Sequence, residues 1–127
     1  MMKVLLVDDD AFLRDMYSVK FSASGYDVDV ADGAPSVITK LQQGNYYDVV
    51  MLDMVMPGAS GVELLKIIKN EFSKQVNCCI FLSNQGQEED IQEATEAGAD
   101  GYIVKADTVP SEVVKQVEAI ISKIKKK

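Results

Sequence analysis

Histidine is absent from the 127-residue sequence. This absence removes the most common general base and the most common metal ligand of proteins. Any acid–base or metal chemistry must therefore use carboxylates, hydroxyls and lysine. Long apolar runs are also absent. None approaches the roughly 18 residues of a membrane span, and the apolar start up to Val7 is too short for a signal peptide.

Cysteine and basic charge are both scarce. Cys78 and Cys79 are adjacent, so on a strand they would point to opposite faces, which suits neither a disulfide nor a shared metal ion. We interpret them as reduced residues in or near a core, and expect a cytoplasmic protein. The formal net charge of −7 argues against a nucleic-acid-binding surface. We interpret the basic run at residues 123–127 as a solvated helix end in preference to a binding patch.

The residues that are present predict one α/β domain over residues 1–127. The composition, 47% hydrophobic and 26% charged, provides enough apolar material for one core. Short apolar segments alternate with amphipathic patterns at helical spacing. The predicted strands cover residues 3–7, 27–31, 48–52, 77–82 and 101–104, and the predicted helices cover residues 11–24, 35–43, 61–72, 88–97 and 111–123.

This alternation predicts a parallel sheet with helices on both faces. Residues 4–7, 49–52 and 79–82 are continuous apolar runs, as expected for strands that are covered on both faces. Residues 27–30 alternate polar and apolar side chains, which favours an edge strand. The pattern fits a flavodoxin-like doubly wound (βα)5 three-layer sandwich with the strand order 2-1-3-4-5.

Polar side chains follow the predicted strands beyond their carboxyl ends, where such sheets bind ligands. They are Asp8, Asp9, Asp10, Asp53, Ser83 and Lys105. Clustered carboxylates repel one another unless a cation joins them, and oxygen ligands suit a hard ion such as Mg²⁺. A remaining carboxylate can act as a nucleophile toward a phosphoryl group. The cation, the ammonium and the hydroxyl can each neutralise one phosphoryl oxygen.

Four motifs on this rim resemble those of the receiver domains of two-component response regulators. They are Val-Asp-Asp-Asp at residues 7–10, Leu-Asp-Met-Val-Met-Pro-Gly at 52–58, Leu-Ser at 82–83 and Gly-Ala-Asp-Gly-Tyr-Ile-Val-Lys at 98–105. The motifs occur in the expected order, and the resemblance covers essentially the whole chain. It implies that Asp53 is the phosphoacceptor, that Asp9 binds Mg²⁺ (or Mn²⁺) directly, and that Asp8 assists. The backbone carbonyl of Val55 would be a further metal ligand.

The resemblance also implies a switch mechanism. Ser83 would be the switch hydroxyl, Lys105 the lysine that pairs with the phosphoryl group, and Tyr102 the aromatic that changes rotamer. The phosphoryl donor must be external, since the chain has no histidine. We expect a histidine kinase or a phosphotransfer protein as donor and an effector protein or domain as the downstream partner, with no direct contact to nucleic acid or membrane. The chain would catalyse only its own phosphorylation and dephosphorylation.

Two features qualify the resemblance. We interpret Asp10 as a helix cap rather than a site residue. Receiver domains usually carry proline after the lysine, often through a cis bond, whereas Ala106 follows Lys105 here. A cis bond before a non-proline residue costs about 2.5–4 kcal/mol, so this loop either bears that strain or is built differently.

Two alternatives remain open. The haloacid-dehalogenase-like phosphatases also use an aspartyl nucleophile, but they place a general acid two residues later, where this chain has Val55. Turnover of an external phosphate ester would favour such an enzyme. A pseudo-receiver keeps the fold without phosphorylation, and it would be favoured if Asp53 accepted no phosphoryl group from any donor.

Overall fold

The protein alternates strand and helix along the chain, as the sequence predicts. The computed structural model describes residues 2–125, apart from the side chains of Asp107 and Lys125. Every predicted element is present, with its ends shifted by at most two residues. The strands are β1 (Lys3–Val7), β2 (Asp27–Ala31), β3 (Tyr47–Leu52), β4 (Val76–Ser83) and β5 (Gly101–Val104). The helices are α1 (Ala11–Ala23), α2 (Ala34–Gln42), α3 (Gly61–Glu71), α4 (Glu88–Glu96) and α5 (Pro110–Lys125).

The five strands within the described residues form one parallel sheet in the order β2-β1-β3-β4-β5. This confirms the predicted fold class, including the edge position of β2. Chain connections change direction between β1 and β3, which lie side by side in the sheet. Ligands of doubly wound sheets bind outside the carboxyl ends of the strands at this switch point. A ligand site is therefore expected at the loops that follow β1 and β3.

Two apolar layers cover the sheet. One contains Val50 and Phe81 with the buried residues of α2, α3 and α4, and the other contains Met51 and Ile80 with those of α1 and α5. Cys79 lies in the first layer and Cys78 in the second, and both are buried free thiols. This confirms that the two adjacent cysteines face opposite sides of the sheet.

The local signals for helix ends are also confirmed. Asp10 caps α1, where its carboxylate accepts a hydrogen bond from the backbone N–H of Leu13 at 3.1 Å. Ser60 and Glu63 form a reciprocal capping box at the start of α3. Gly98, which follows α4, has a φ of +103°, a left-handed conformation that favours glycine.

The loop after β5 is built differently from the cis-proline loop that the resemblance suggests. No peptide bond among residues 2–125 is cis. Instead, Lys105–Asp107 forms a short 3₁₀ turn, closed by a hydrogen bond from the N–H of Thr108 to the carbonyl of Lys105. The turn follows β5 directly, so Lys105 remains at the carboxyl end of that strand.

The described residues contain no helix that is long and apolar enough to cross a membrane. Helix α5 includes Lys123, which is exposed. The last two residues of the predicted basic run, Lys126 and Lys127, lie outside the described residues.

Candidate functional site

Four side chains predicted for the site meet at the carboxyl rim of the sheet. Asp8 follows β1, Asp53 follows β3, Ser83 ends β4 and Lys105 follows β5. Parallel strands place their carboxyl ends on one edge, and the order β1-β3-β4-β5 puts these four positions next to one another. Residues as far apart in sequence as Asp8 and Lys105 therefore come into direct contact.

Lys105 bridges two carboxylates. Its Nζ lies 2.6 Å from Oδ2 of Asp8 and 3.0 Å from Oδ2 of Asp53. The side chains of Lys105, Asp8 and Asp53 are only 6%, 9% and 15% exposed. Burial acts to lower the pKa of Lys105, but the hydrogen bonds and charges of both carboxylates outweigh it and raise the pKa above its ordinary value. The ammonium is therefore held in its charged form at the centre of the rim.

The other oxygen of Asp53 faces the hydroxyl of Ser83. Ser83 is completely buried, and its Oγ donates to Oδ1 of Asp53 at 3.0 Å. The backbone N–H of Val55 points to the same oxygen from a longer distance of 3.5 Å. The carboxylate of Asp53 is thus held at one oxygen by a hydroxyl and at the other by an ammonium. These are the two kinds of donor that can also bind phosphoryl oxygens.

Three carboxylates converge on the open side of the rim. Ligand oxygens of Asp8, Asp9 and Asp53 lie within 4.8 Å of one another, with Asp8 buried, Asp53 half-buried and Asp9 exposed. A set of carboxylate oxygens without histidine or cysteine fits a hard divalent cation such as Mg²⁺ or Mn²⁺, which can keep waters on its exposed side. Asp10 lies outside this cluster. Its carboxylate caps α1, and its N–H donates to Oδ1 of Asp8 at 2.9 Å.

Ser83 and Tyr102 are connected through the peptide groups of one residue, Gln85. The N–H of Gln85 donates to Oγ of Ser83 at 3.2 Å, and the carbonyl of Gln85 accepts from the hydroxyl of Tyr102. The ring of Tyr102 stacks on Phe81, with 5.7 Å between the ring centroids. The hydroxyl that touches Asp53 and the aromatic side chain on β5 are therefore linked through the loop that precedes α4.

Sequence reasoning missed two residues that shape this rim. Gly61 begins α3 so close to the site that an added Cβ would lie 2.1 Å from the carbonyl oxygen of Asp53. Arg14 on α1 donates from Nη1 to the backbone carbonyl of Asp8 at 2.8 Å. A signal for Arg14 was available, since it is the single arginine of the chain and lies one turn after the acidic run. Nothing in the sequence indicates the close approach of Gly61.

Comparison with known proteins identifies the family. The family model described as "Response regulator receiver domain" matches residues 4–118. The chain belongs to this family. It is 37% identical over 111 residues to the chemotaxis protein CheY of Halobacterium salinarum, which covers 86% of this chain and 88% of that protein. A structure of the chemotaxis response regulator CheY4 of Vibrio cholerae has a TM-score of 0.86 at 29% identity, and covers 94% of this chain and 98% of that one.

Other relatives of this receiver domain are longer proteins. The transcriptional regulatory protein ResD of Bacillus subtilis is 35% identical over 119 residues, which is 94% of this chain but 48% of ResD. The phosphate regulon transcriptional regulatory protein PhoB of Escherichia coli is 30% identical over 122 residues, which is 96% of this chain and 52% of PhoB. The chain thus spans about half the length of these two relatives.

Family membership establishes the general class of function. Receiver domains of two-component response regulators are phosphorylation-dependent signalling switches, and they are not conventional enzymes. They interact with histidine kinases or phosphotransfer proteins and with effectors. They also bind Mg²⁺ at an acidic pocket, and the cluster of Asp8, Asp9 and Asp53 is an acidic pocket of this kind.

Proposed function

We propose that residues 1–127 act as a single cytoplasmic receiver domain that accepts a phosphoryl group on Asp53 in a reaction dependent on Mg²⁺ or Mn²⁺. The donor is a phosphohistidine on a sensor kinase or a phosphotransfer protein, because the chain itself has no histidine. A carboxylate oxygen of Asp53 forms the new bond to phosphorus while the nitrogen–phosphorus bond of the donor breaks. The donor imidazole leaves with the electron pair and takes up a proton.

One observation carries this proposal: both oxygens of Asp53 are held by groups suited to phosphoryl oxygens. Ser83 donates to Oδ1 at 3.0 Å and Lys105 to Oδ2 at 3.0 Å. Phosphoryl transfer depends mostly on positioning and on stabilising charge. After transfer, the same hydroxyl and ammonium have only to move from the carboxylate to the oxygens of the phosphoryl group. Ser83 and Lys105 therefore already lie, in the free protein, close to the positions from which they would bind the phosphoryl group.

The cation would be held by carboxylate oxygens of Asp8, Asp9 and Asp53 and by the backbone carbonyl of Val55. When bound, a divalent cation neutralises charge on phosphoryl oxygens and relieves the repulsion within the carboxylate cluster. The side chain of Val55 is 66% exposed, which leaves the approach to Asp53 open on this side. Asp9 is the exposed member of the cluster, so it faces the solvent from which the cation and the donor arrive.

The signal would leave the site through Ser83 and Tyr102. Phosphorylation replaces the single charge of the Asp53 carboxylate by a phosphoryl group that carries about 1.5 to 2 negative charges. Movement of Ser83 toward the phosphoryl group would release the N–H of Gln85, and the tie from Gln85 to Tyr102 would carry the change to β5. The surface formed by α4, β5 and α5 would then bind an effector protein or domain. Phosphorylation is thus a local electrostatic event that shifts this surface between two states. The domain itself would make no direct contact with nucleic acid or membrane.

Incubation with acetyl phosphate and Mg²⁺ tests the proposed chemistry. We expect the intact mass to rise by one phosphoryl group in the wild type, and to stay unchanged in Asp53→Asn or without a divalent cation. Asp48→Asn is a matched control, since Asp48 lies on β3, the strand that Asp53 follows, but accepts from the backbone N–H of Lys3 at the other end of that strand. A wild-type protein that gains no mass and also binds no beryllofluoride would overturn the proposal in favour of a pseudo-receiver.

A further inference from the structure

Asp8 is held on two sides, by Lys105 in the carboxylate cluster and by Arg14 on α1. On the site side, Lys105 contacts the carboxylate at 2.6 Å. On the other side lies α1, where Nη1 of Arg14 donates to the backbone carbonyl of Asp8 at 2.8 Å. Arg14 is the single arginine among the 13 basic residues of the chain, and it is half-buried. A planar guanidinium with five donors can fix a carbonyl and still bind further groups, which a lysine cannot do in the same way.

A small cavity lies behind Asp8, between α1 and the sheet. Its lining includes Asp8, Arg14 and Tyr17 together with the apolar side chains of Leu6, Met51 and Leu82. The cavity volume of about 10 Å³ is at the lower limit for one water molecule. Buried water molecules occupy polar cavities, where they bind two to four polar groups. Asp8, Arg14 and Tyr17 are the polar residues of this lining.

Tyr17 contributes a buried polar residue to the lining of this cavity. The residue is only 4% exposed. Every completely buried side-chain polar atom in the described part of the chain has a partner. Burial raises the pKa of Tyr17.

We propose that Arg14 and Tyr17 are positioning residues that hold Asp8 from the helix side. Arg14 acts through the backbone carbonyl, and Tyr17 acts through one ordered water molecule in the cavity. Together with Lys105 they fix the segment that presents Asp8 and Asp9 to a divalent cation. The expected effect of Arg14 and Tyr17 on cation binding rests on the proposed function. Their expected effect on the position of Asp8 does not.

A positioning role and a purely electrostatic role of Arg14 have opposite consequences for cation binding. If Arg14 acted only through its positive charge, its removal would strengthen the binding of Mg²⁺, because like charges repel. If Arg14 positions Asp8, its removal weakens the binding of Mg²⁺, because the ligands lose their fixed arrangement. The direction of the change therefore distinguishes the two roles.

The first test compares Arg14→Met and Arg14→Lys with the wild type by NMR. In cation-free protein we expect faster amide exchange at Asp10 in Arg14→Met, since this N–H donates to Oδ1 of Asp8 at 2.9 Å. We also expect Mg²⁺ affinity to fall about tenfold, the effect of one lost charge-assisted hydrogen bond, with a smaller loss in Arg14→Lys. Lys40→Met is the control and should change neither quantity, because Lys40 is a half-buried cation that pairs with Asp29.

Unchanged exchange at Asp10 together with unchanged or tighter Mg²⁺ binding in Arg14→Met would overturn the positioning role. The exchange measurement needs neither cation nor phosphoryl donor. If acetyl phosphate fails to modify the wild type while exchange at Asp10 still depends on Arg14, the proposed function fails and this inference stands.

The second test removes one oxygen atom. Tyr17→Phe keeps the packing of the ring and should fold normally. We expect Mg²⁺ affinity to fall about threefold, roughly the effect of a weak water-mediated bond, and amide exchange at Asp10 to rise by a similar factor. A high-resolution crystal structure of the wild type should contain a water bound to the Tyr17 hydroxyl. A dry cavity, or a Tyr17→Phe variant with wild-type affinity and exchange, would remove Tyr17 from the proposal.

Discussion

Helices α3 and α4 lie on the same face of the sheet, yet they are held there very differently. In α3, five residues are buried, namely Gly61, Val62, Leu64, Leu65 and Ile68, and a capping box fixes the first turn. In α4, Ala94 is the one buried residue, and the N-cap residue Gln87 makes no side-chain hydrogen bond to the helix. The first turn of α4 consists of three acids, Glu88, Glu89 and Asp90. These favour a helix N-terminus by their charge but add no packing.

This difference matches the place of each helix relative to the site. Helix α3 follows the Asp53 loop and is tied to it, since the N–H of Gly61 donates to the carbonyl of Met54 at 2.9 Å. Helix α4 follows the loop of Ser83 and Gln85. A loosely packed element has a low local stability, so a small change at Ser83 can move α4, whereas α3 keeps the phosphoacceptor loop in place. The site is therefore built from a fixed half, which is the Asp53 loop with α3, and an adjustable half, which is the loop of Ser83 and Gln85 with α4.

The largest difference between the two halves should appear when a methyl group is added to Gly61, the first residue of α3, and to Gly86, which lies two residues before α4. In Gly61→Ala the new Cβ would lie 2.1 Å from the backbone oxygen of Asp53 and 2.6 Å from the ring of Phe81. We expect a loss of unfolding free energy on the order of 3 kcal/mol and phosphorylation by acetyl phosphate that is slower by about 100-fold. In Gly86→Ala the nearest atom is a methyl carbon of Val104 at 3.2 Å.

Because a side-chain methyl can yield, Gly86→Ala should stay within about 0.5 kcal/mol of the wild type. Urea unfolding and the rate of mass gain measure both variants. Similar losses in the two would contradict the distinction between a fixed and an adjustable half.

Deletion of core side chains should give the next largest difference. Leu64 on α3 is fully buried, and we expect Leu64→Ala to lower the unfolding free energy by about 2–5 kcal/mol. Ile91 on α4 is only half-buried, so Ile91→Ala should cost about 1 kcal/mol. Equilibrium urea unfolding by circular dichroism checks both values. A loss at Ile91 equal to that at Leu64 would mean that α4 is as firmly packed as α3.

The sequence predicts the helices of both halves, since the predicted bounds of α3 and of α4 each differ from the observed ones by one residue. Apolar periodicity and the Ser60–Glu63 box locate α3 to within one residue, and the acids after β1 and β3 follow from strand assignment and the parallel topology. These signals are local, so a single sequence contains them. The meeting of Asp8, Asp53 and Lys105 at 2.6 and 3.0 Å depends on the four adjacent strands β1, β3, β4 and β5, and only their order places these residues together.

Other features have no local signal. The contact of Gly61 with the Asp53 carbonyl depends on how closely α3 approaches β3, which an alternation of strand and helix does not specify. The hydrogen bonds that connect Ser83 to Tyr102 use the backbone N–H and carbonyl of Gln85. The side chain of this residue therefore gives no sequence signal for the connection. The 3₁₀ turn at Lys105–Asp107 likewise arises from tertiary context. Long-range backbone contacts are the part of the site that sequence reasoning leaves out.

Substitution of the two N-cap residues should give smaller changes in stability, which have opposite signs in α3 and α4. Ser60→Ala removes the side-chain acceptor for the N–H of Glu63, which is 3.1 Å away, and should cost about 1 kcal/mol. Gln87→Ser supplies a cap that α4 lacks, and should stabilise the helix by roughly 0.5–1 kcal/mol. Urea unfolding reports the first change, and amide exchange in the first turn of α4 reports the second. Faster exchange in Gln87→Ser would contradict the assignment of Gln87 as the N-cap.

The smallest effect near neutral pH concerns β4, the strand that contributes side chains to both apolar layers. Burial raises the pKa of Cys78 and Cys79 to about 12, and the charge of Asp100 adds to it. A raised pKa in the folded state stabilises the fold fully below the ordinary thiol pKa, and this stabilisation is lost as the pH rises toward 12. We expect the free energy of unfolding to fall between pH 9 and pH 12, and to fall less in the double variant Cys78→Ala, Cys79→Ala. Equal slopes in both proteins would exclude a thiol contribution.

Amide hydrogen exchange with and without Mg²⁺ and beryllofluoride tests the account most directly. Beryllofluoride substitutes for the phosphoryl group, so its binding at Asp53 should change exchange in residues 84–96, which include α4, and leave α3 unchanged. The same addition to Asp53→Asn should alter neither helix. Equal changes in α3 and α4, or a response that persists in Asp53→Asn, would contradict the claim that a phosphoryl group on Asp53 acts through the adjustable half of the site.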